Sequence, residues 1–483
     1  MRFTFTFDTI LNSVPFGSLI DRIMSSSSIN AALGSLGIVP LIPCPPLPLI
    51  ITEWAAILPL ICHLASQRDD YVTTGDVALQ GKLSIGLFPR LGTLSGISRL
   101  LERGTEYLDF ASTKGGSSRT VWDVKWGSVF PCANGAAIGA ISAYLLSRNK
   151  ESPTCMPETP SHQTARQNSE KSSIKDDPSS TPAYMSYSGG SNPKEQGSIR
   201  RFQTLHVYEF HRSQKRSSLG QRFRQFLHVL PVQVASWVLL MGLAVFFLLF
   251  GCYGTCAIVV CSTISEIVAH NVKMLRSPTY LKNSEHHDAC MLVAAHENAT
   301  EWHLYIGDRA IVDSLLNKQM FIVPSGPRIK FAATWFWFAH LFQLAAMSFV
   351  AAQKGWDGVC LITLLTTHLA FYFFHSSRGL AQDWLEAEGI DARVKSFKFS
   401  GRFGLIGAIQ LFSGSTVTRW MDTILAPHAR REAWLEWLQG VYPAGNLDVT
   451  DASWVQFSSD AAFAGAEVLM REFTVVSTPS TSA

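Results

Sequence analysis

The chain has 483 residues, of which 47% are hydrophobic and 16% charged, and its formal net charge is +3. Soluble proteins carry about 25% charged residues, so this composition, with its apolar residues gathered in blocks, indicates an integral membrane protein. The small net charge and the lack of an Arg/Lys stripe interleaved with aromatic residues argue against nucleic-acid binding. The nine cysteines lie mostly in apolar runs, where thiols pack as small hydrophobes, so we expect no disulfide scaffold.

Residues 1–150 form an N-terminal region with two weak membrane segments, at 47–65 and 127–147. The first is apolar but carries an acidic residue and follows a run of prolines. The second contains Gly135-x-x-x-Gly139, a spacing that lets helices approach closely in lipid. A re-entrant segment or a packed soluble helix is the alternative for 127–147.

Residues 151–227 are predicted to be a disordered, basic linker. Ser, Thr, Pro, Gln and Lys dominate its first part, and such a composition cannot bury enough apolar area to offset the entropy of the chain.

Two membrane hairpins are predicted, at 228–270 and 329–376. The first joins Leu230–Phe250 to Cys252–Val268 through a glycine turn, and a single bent helix is the alternative. The second joins Phe331–Ala352 to Val359–Phe374, with Trp356 at the turn, a residue typical of the membrane interface.

Between the hairpins, residues 271–328 are predicted to be a small cytosolic α+β element. Alternating residues over Cys290–Ile306 predict a β-hairpin with one apolar face, on which Met291 and Val293 join Leu304. Asp308 is a plausible N-cap for the helix that follows. The histidines and acidic residues of this element match no metal-binding spacing and are typical of a solvated face.

Residues 377–476 are predicted to be a cytosolic, amphipathic C-terminal region, followed by a disordered tail at 477–483. Arg393–Phe399 has the alternation of a strand. The glycine series Gly401-x-x-Gly404-x-x-Gly407 that follows lacks the βαβ setting of a dinucleotide site, and we interpret it as a flexible turn beside the membrane.

Basic residues flank both hairpins on one side, which places the linker, the α+β element and the C-terminus in the cytosol. The cluster before the first hairpin is the candidate for contact with the bilayer and its anionic lipid headgroups. Its members are Arg212, Lys215, Arg216, Arg222 and Arg224.

His340 and His368 stand 14 residues on either side of Lys354, so antiparallel helices would hold them at one depth inside the apolar layer. Ionisable groups at such depth are rare and often functional. The pair is the candidate for binding a metal or haem or for relaying protons, and a hydrogen bond between two neutral imidazoles is the alternative.

Three stretches are similar to segments of predicted multi-pass membrane proteins of filamentous fungi. They read GKLSIGLFPRLGTLSG, ERGTEYLDFASTKGGSSRTVWDVKWGS and HDACMLVAAHENATEWHLYIGDRAIVDSLLNK. The resemblance implies an intracellular eukaryotic membrane and transfers no activity, cofactor or catalytic residue.

The sequence thus predicts a mainly α-helical integral membrane protein with four to six spans and a small cytosolic α+β element, in an endomembrane or the plasma membrane. Because no catalytic motif is found, we expect a non-enzymatic regulatory or scaffolding protein. The alternatives are a small-solute or ion transporter, and a membrane-bound redox or lipid-modifying enzyme that uses the two intramembrane histidines.

Overall fold

The computed structural model describes residues 41–42, 45–65, 70–83, 85, 89, 92–114, 118–156, 202–213, 219–285, 287–353, 355–374, 378–441 and 448–474. It divides into a helical unit (residues 1–111, 217–276 and 321–380) and a sheet unit (112–216, 277–320 and 381–483). Each unit is assembled from three separate stretches of sequence.

The prediction of a mainly α-helical protein with four to six membrane spans is wrong. The described part of the chain combines fourteen α-helices with a seven-stranded mixed sheet, which makes a mixed α/β fold. Within that part, two helices, Tyr253–Asn271 and Pro327–Gln353, are long and apolar enough to cross a membrane. A helix buried in a protein core meets the same criterion, so the two helices are only a weak indication of membrane association.

The described part of the helical unit contains eight helices and one pair of short strands. Those elements are α1 (Leu49–Ala65), α2 (Asp70–Gln80), α3 (Thr93–Arg103), α4 (Thr105–Lys114), α6 (Leu219–Leu249), α7 (Tyr253–Asn271), β5 (Leu275–Arg276), β8 (Phe321–Ile322), α9 (Pro327–Gln353) and α10 (Trp356–Phe374). The α6–α7 and α9–α10 pairs lie where the two hairpins are predicted.

Helices α7 and α9 pack antiparallel. The indole of Trp335, early in α9, donates to Ser265 Oγ, late in α7, at 3.1 Å. At the other end, Gly254 lies so close to α9 that a Cβ there would sit 2.3 Å from Val350 Cγ2. Only glycine allows this approach at the start of α7.

The sheet unit is built around seven strands in the order β2-β1-β6-β7-β4-β9-β3. Its elements are β1 (Thr120–Asp123), β2 (Val129–Pro131), α5 (Gly135–Arg148), β3 (Thr154–Cys155), β4 (Gln203–Arg212), β6 (Ala289–Ala294), β7 (Glu301–Gly307), α8 (Arg309–Leu316), α11 (Arg378–Glu388), β9 (Ile390–Phe399), α12 (Arg402–Ser413), a 3-10 turn (Arg419–Met421), α13 (Ala429–Leu438) and α14 (Val449–Thr474). Strand β4 runs parallel to β7 and antiparallel to β9.

The predicted hairpin exists as β6 and β7, but its apolar face was assigned wrongly. The register pairs Leu292 with Leu304, so Leu292 points to the larger core while Met291 and Val293 point to the opposite side. Every residue of β6 is buried because both faces of the sheet are covered. The Asp308 cap is as expected, with its carboxylate accepting from Ala310 N at 2.8 Å.

Two stretches assigned to other roles belong to this unit. Residues 127–147 do not make one long helix, because strand β2 occupies their start and α5 has only 14 residues, fewer than the roughly 20 that a membrane span needs. Strand β4 lies inside the range predicted to be disordered, and its central residues are fully buried. Residues 157–201 and the 477–483 tail lie outside the described residues.

The glycine series begins helix α12 instead of a turn. A Cβ on Gly407 would lie 2.5 Å from Ala462 Cβ of α14 and 2.8 Å from the Trp434 ring of α13. The glycines therefore let α12 and α14 pack closely over the sheet.

We expect Gly407→Ala to lower the free energy of unfolding by about 1–3 kcal/mol, the usual cost of overpacking a core. Chemical denaturation followed by tryptophan fluorescence would measure it. Gly401→Ala is the matched control, because no atom lies within 4 Å of a Cβ there and its φ of −167° is extended. Equal stability of the two variants would contradict the packing argument.

Candidate functional site

The two histidines proposed as a metal or haem site lie on α9 (His340) and α10 (His368), both partly buried. The imidazole found within electrostatic range of His340 is that of His63 on α1. Among the described residues, no three His, Cys, Asp or Glu side chains are grouped as metal ligands. The role of the histidine pair therefore stays a prediction without support from a ligand set.

Of the five basic residues proposed to contact lipid, Arg212 ends strand β4, and its guanidinium donates to Asp308 at 2.7 Å and to the carbonyl of Leu281 at 2.8 Å. Arg222 and Arg224 lie on α6. Lys215 and Arg216 lie outside the described residues. The structure thus assigns Arg212 a place in the sheet unit, and the lipid contact of the five residues stays a prediction.

The sheet unit contains an open polar groove of about 530 Å³. The last two residues of β4, the start of α8 and the loop before β6 line it. Arg309 and Asp308 from α8 and its cap face Glu285 and Asp288 from the loop. Of the histidines and acidic residues noted in the sequence of this element, His287 and Asp288 line the groove.

A buried arginine forms the floor of the groove. Arg309 is only 8% exposed, and its Nη2 donates to Asp123 Oδ2 at 2.9 Å. Its Nε lies 3.1 Å from Glu285 Oε2, whereas Nη1 is buried without a hydrogen-bond partner in the described structure. Asp123 also accepts from the amides of Lys125 and Trp126, so the carboxylate ties the β1–β2 turn to α8. The sequence gives no sign of this pair, because its members are 186 residues apart.

A row of stacked rings crosses β4 and β7 beneath α5. The rings of His206 and His303 stack at 5.4 Å, and those of Tyr208 and Tyr305 stack at 5.0 Å. Tyr305 Oη pairs with Ser142 Oγ of α5 at 2.9 Å.

The hydroxyls of this row have further partners. Tyr208 Oη lies 3.2 Å from His303 Nδ1, and Ser396 Oγ lies 2.8 Å from His206 Nδ1. The Ser396–His206 distance is one that general-base activation of a hydroxyl requires.

Burial sets the protonation of the row. Desolvation, reinforced by His206 and Arg119, lowers the pKa of His303 to about 4. It also lowers the pKa of His206, against the charge of Glu301, and raises the pKa of both Tyr208 and Tyr305. At neutral pH the row is therefore an uncharged hydrogen-bonded layer, in which no nucleophile is ionised.

Comparison with known proteins assigns no family, since no family model, no curated protein and no solved structure matches the chain.

We expect the sheet unit to lose stability as the pH falls from about 6.5 to about 4. The pKa of His303 is lower in the folded chain than the ordinary histidine value of 6.5, so the unfolded chain binds a proton first, and protons favour unfolding in that window. The loss attributable to His303 is at most about 3 kcal/mol. Denaturant unfolding between pH 4 and 8 measures it. His303→Gln should flatten the profile, whereas the exposed control His296→Gln should not, and unchanged slopes in both would refute the assignment.

Proposed function

We propose that this protein is a membrane-associated regulatory or scaffolding protein, held at the bilayer by helices α7 and α9 and offering the groove of its sheet unit to a polar ligand or partner. The observation that carries the proposal is the apolar surface of the helical unit. Large apolar side chains exposed in number on one unit of a protein are typical of an interaction or membrane face.

Large apolar side chains of the helical unit are exposed along several helices. Trp54 of α1 is 68% exposed, Leu239 of α6 72% and Phe331 of α9 66%. Only 44% of the apolar window in α7 and 33% of that in α9 is buried. Exposing this much apolar surface to water is unfavourable, so we infer that lipid covers it.

The hydroxyl groups of these helices support the same environment. At exposed positions, Thr334, Thr363 and Thr367 each donate to the carbonyl oxygen one turn earlier on their own helix. Such bonds satisfy a hydroxyl without water, which a membrane interior demands.

Cations mark one end of the α7–α9 pair. Lys273 follows the end of α7, and Arg328 and Lys330 begin α9, and all three are exposed. By the positive-inside rule, this end faces the cytosol, where each cation near anionic lipid headgroups contributes about 1 kcal/mol.

The groove supports a binding role. Its charged groups pair with each other, Arg309 with Asp123 and Glu285, and are therefore engaged in holding the groove's shape. A groove of this polarity suits a small polar ligand or a charged segment of a partner.

Extraction of membranes with alkaline carbonate tests the association. The wild-type chain should stay in the pellet and dissolve in mild detergent. Phe338→Glu with Leu341→Glu, at sites 51% and 44% exposed on α9, should cut the pelleted fraction at least tenfold, because each charge costs about 2.5–3.5 kcal/mol mid-membrane.

The matched control carries the same charges on α14 of the sheet unit, Phe463→Glu with Met470→Glu, at sites 42% and 41% exposed. It should partition like the wild type. Release of the wild-type chain by carbonate, or equal partition of the two double variants, would contradict the proposal.

Orientation is tested separately with single cysteines in sealed microsomes whose cytosolic face is outward. Ser325→Cys, just before α9, should react with a membrane-impermeant maleimide in intact microsomes. Reaction at this site only after permeabilisation would contradict the cytosolic placement of the cations.

A further inference from the structure

We propose that Cys252 and Cys360 are a disulfide-forming pair, a modification site that joins the α6–α7 turn to helix α10. Their sulfur atoms lie 3.7 Å apart, with the Cys252 thiol donating to Cys360 Sγ. A disulfide requires about 2.0 Å between sulfurs, so the two atoms need to approach by about 1.7 Å. Rotation of the two side chains supplies movements of this size.

The backbone around the pair is held in place. Asp357, in the first turn of α10, is 5% exposed, and its carboxylate accepts from the amides of Gly254 and Thr255 at 2.7 Å each. These are amides of the first turn of α7, which have no partner within their own helix. The carboxylate therefore caps α7 from α10, one turn from each cysteine, and keeps the two thiols within hydrogen-bonding distance.

The turn that leads into Cys252 is also fixed in position. Gly251 has φ +75°, which lets the chain reverse between α6 and α7 and directs Cys252 towards α10. A Cβ on Gly254 would meet Val350 at 2.3 Å and Asp357 at 2.9 Å, so no side chain separates the turn from its neighbours.

The difference in exposure sets the order of the reaction. Cys360 is partly exposed, whereas Cys252 is 1% exposed. The Cys360 thiolate attacks a small-molecule disulfide such as oxidised glutathione, forming a mixed disulfide and releasing one reduced thiol. Cys252 then attacks Cys360 Sγ and releases the second thiol. Two protein thiols are oxidised, one glutathione disulfide is reduced to two thiols, and the bond remaining is Cys252–Cys360.

The reaction requires an oxidising compartment, because glutathione and thioredoxin keep thiols reduced in the cytosol. A linked pair recovered from cells would therefore show that these two thiols face such a compartment.

The experiment uses the full chain in cells whose thiols are alkylated at lysis. Under denaturing conditions without reduction, the number of alkylated cysteines should be two fewer than the nine of the chain, and non-reducing peptide mapping should recover the Cys252 and Cys360 peptides linked. Nine alkylated cysteines, or a linkage between other cysteines, would overturn the proposal.

Variants and fractionation separate the two proposals. Cys252→Ser and Cys360→Ser should each leave eight alkylated cysteines, whereas the control Cys261→Ser, a buried thiol on α7, should leave six and keep the linked peptides. The peptide map of the wild-type chain decides the matter even if a variant fails to fold. Carbonate extraction of the same lysate reports membrane association independently of the disulfide. A pelleted chain with nine alkylated cysteines would refute only the disulfide, and a linked chain in the supernatant would refute only the membrane association.

Discussion

The sheet unit depends on strand β4. It hydrogen-bonds to β9 along its whole length and to β7 over most of it, and it is the only described link between the β2-β1-β6-β7 half of the sheet and the β9-β3 part. Leu205, Val207 and Phe210 are fully buried, and Glu209 between them is held by Arg393 and His211. Without this strand, the two halves would each expose an unpaired edge and one face of their core.

The same strand shows where reasoning from sequence stops. Gln203–Arg212 has the alternation of a strand, but it follows a long polar stretch. The average composition of residues 151–227 is dominated by that polar stretch, so it gives no indication of this ten-residue strand. Strands β6, β7 and β9 are recognisable in the sequence because turn residues flank them. The Asp308 cap is recognisable because N-capping depends only on neighbouring residues. The buried face of the β6–β7 hairpin is not recognisable in the sequence. Its register depends on pairing with the neighbouring strands, and a shift of one residue exchanges the two faces.

For the helical unit, hydrophobicity predicts helices well and their environment poorly. A sequence window measures how apolar a helix is, whereas the number of membrane spans depends on length and on what covers each face. Segment 127–147 is only a weak membrane candidate, with a re-entrant segment or a packed soluble helix as the alternative, because small residues pack equally well in lipid and against a sheet. The groove escaped prediction for a related reason. The sequence analysis interprets His287 and Asp288 as part of a solvated face, and the buried floor of the groove, Arg309 with Asp123, joins residues that only the folded sheet brings together.

The interleaving of the two units along the chain has a consequence for biosynthesis. Strand β4 leaves the ribosome before α6 and α7, and its partner β9 follows only after α9 and α10, so these four helices are made while the sheet is still incomplete. During that interval β4 presents a bare edge of backbone donors and acceptors, which is a template for aggregation. Translation that stops before Ile390 therefore yields a chain in which this edge of β4 has no strand to pair with.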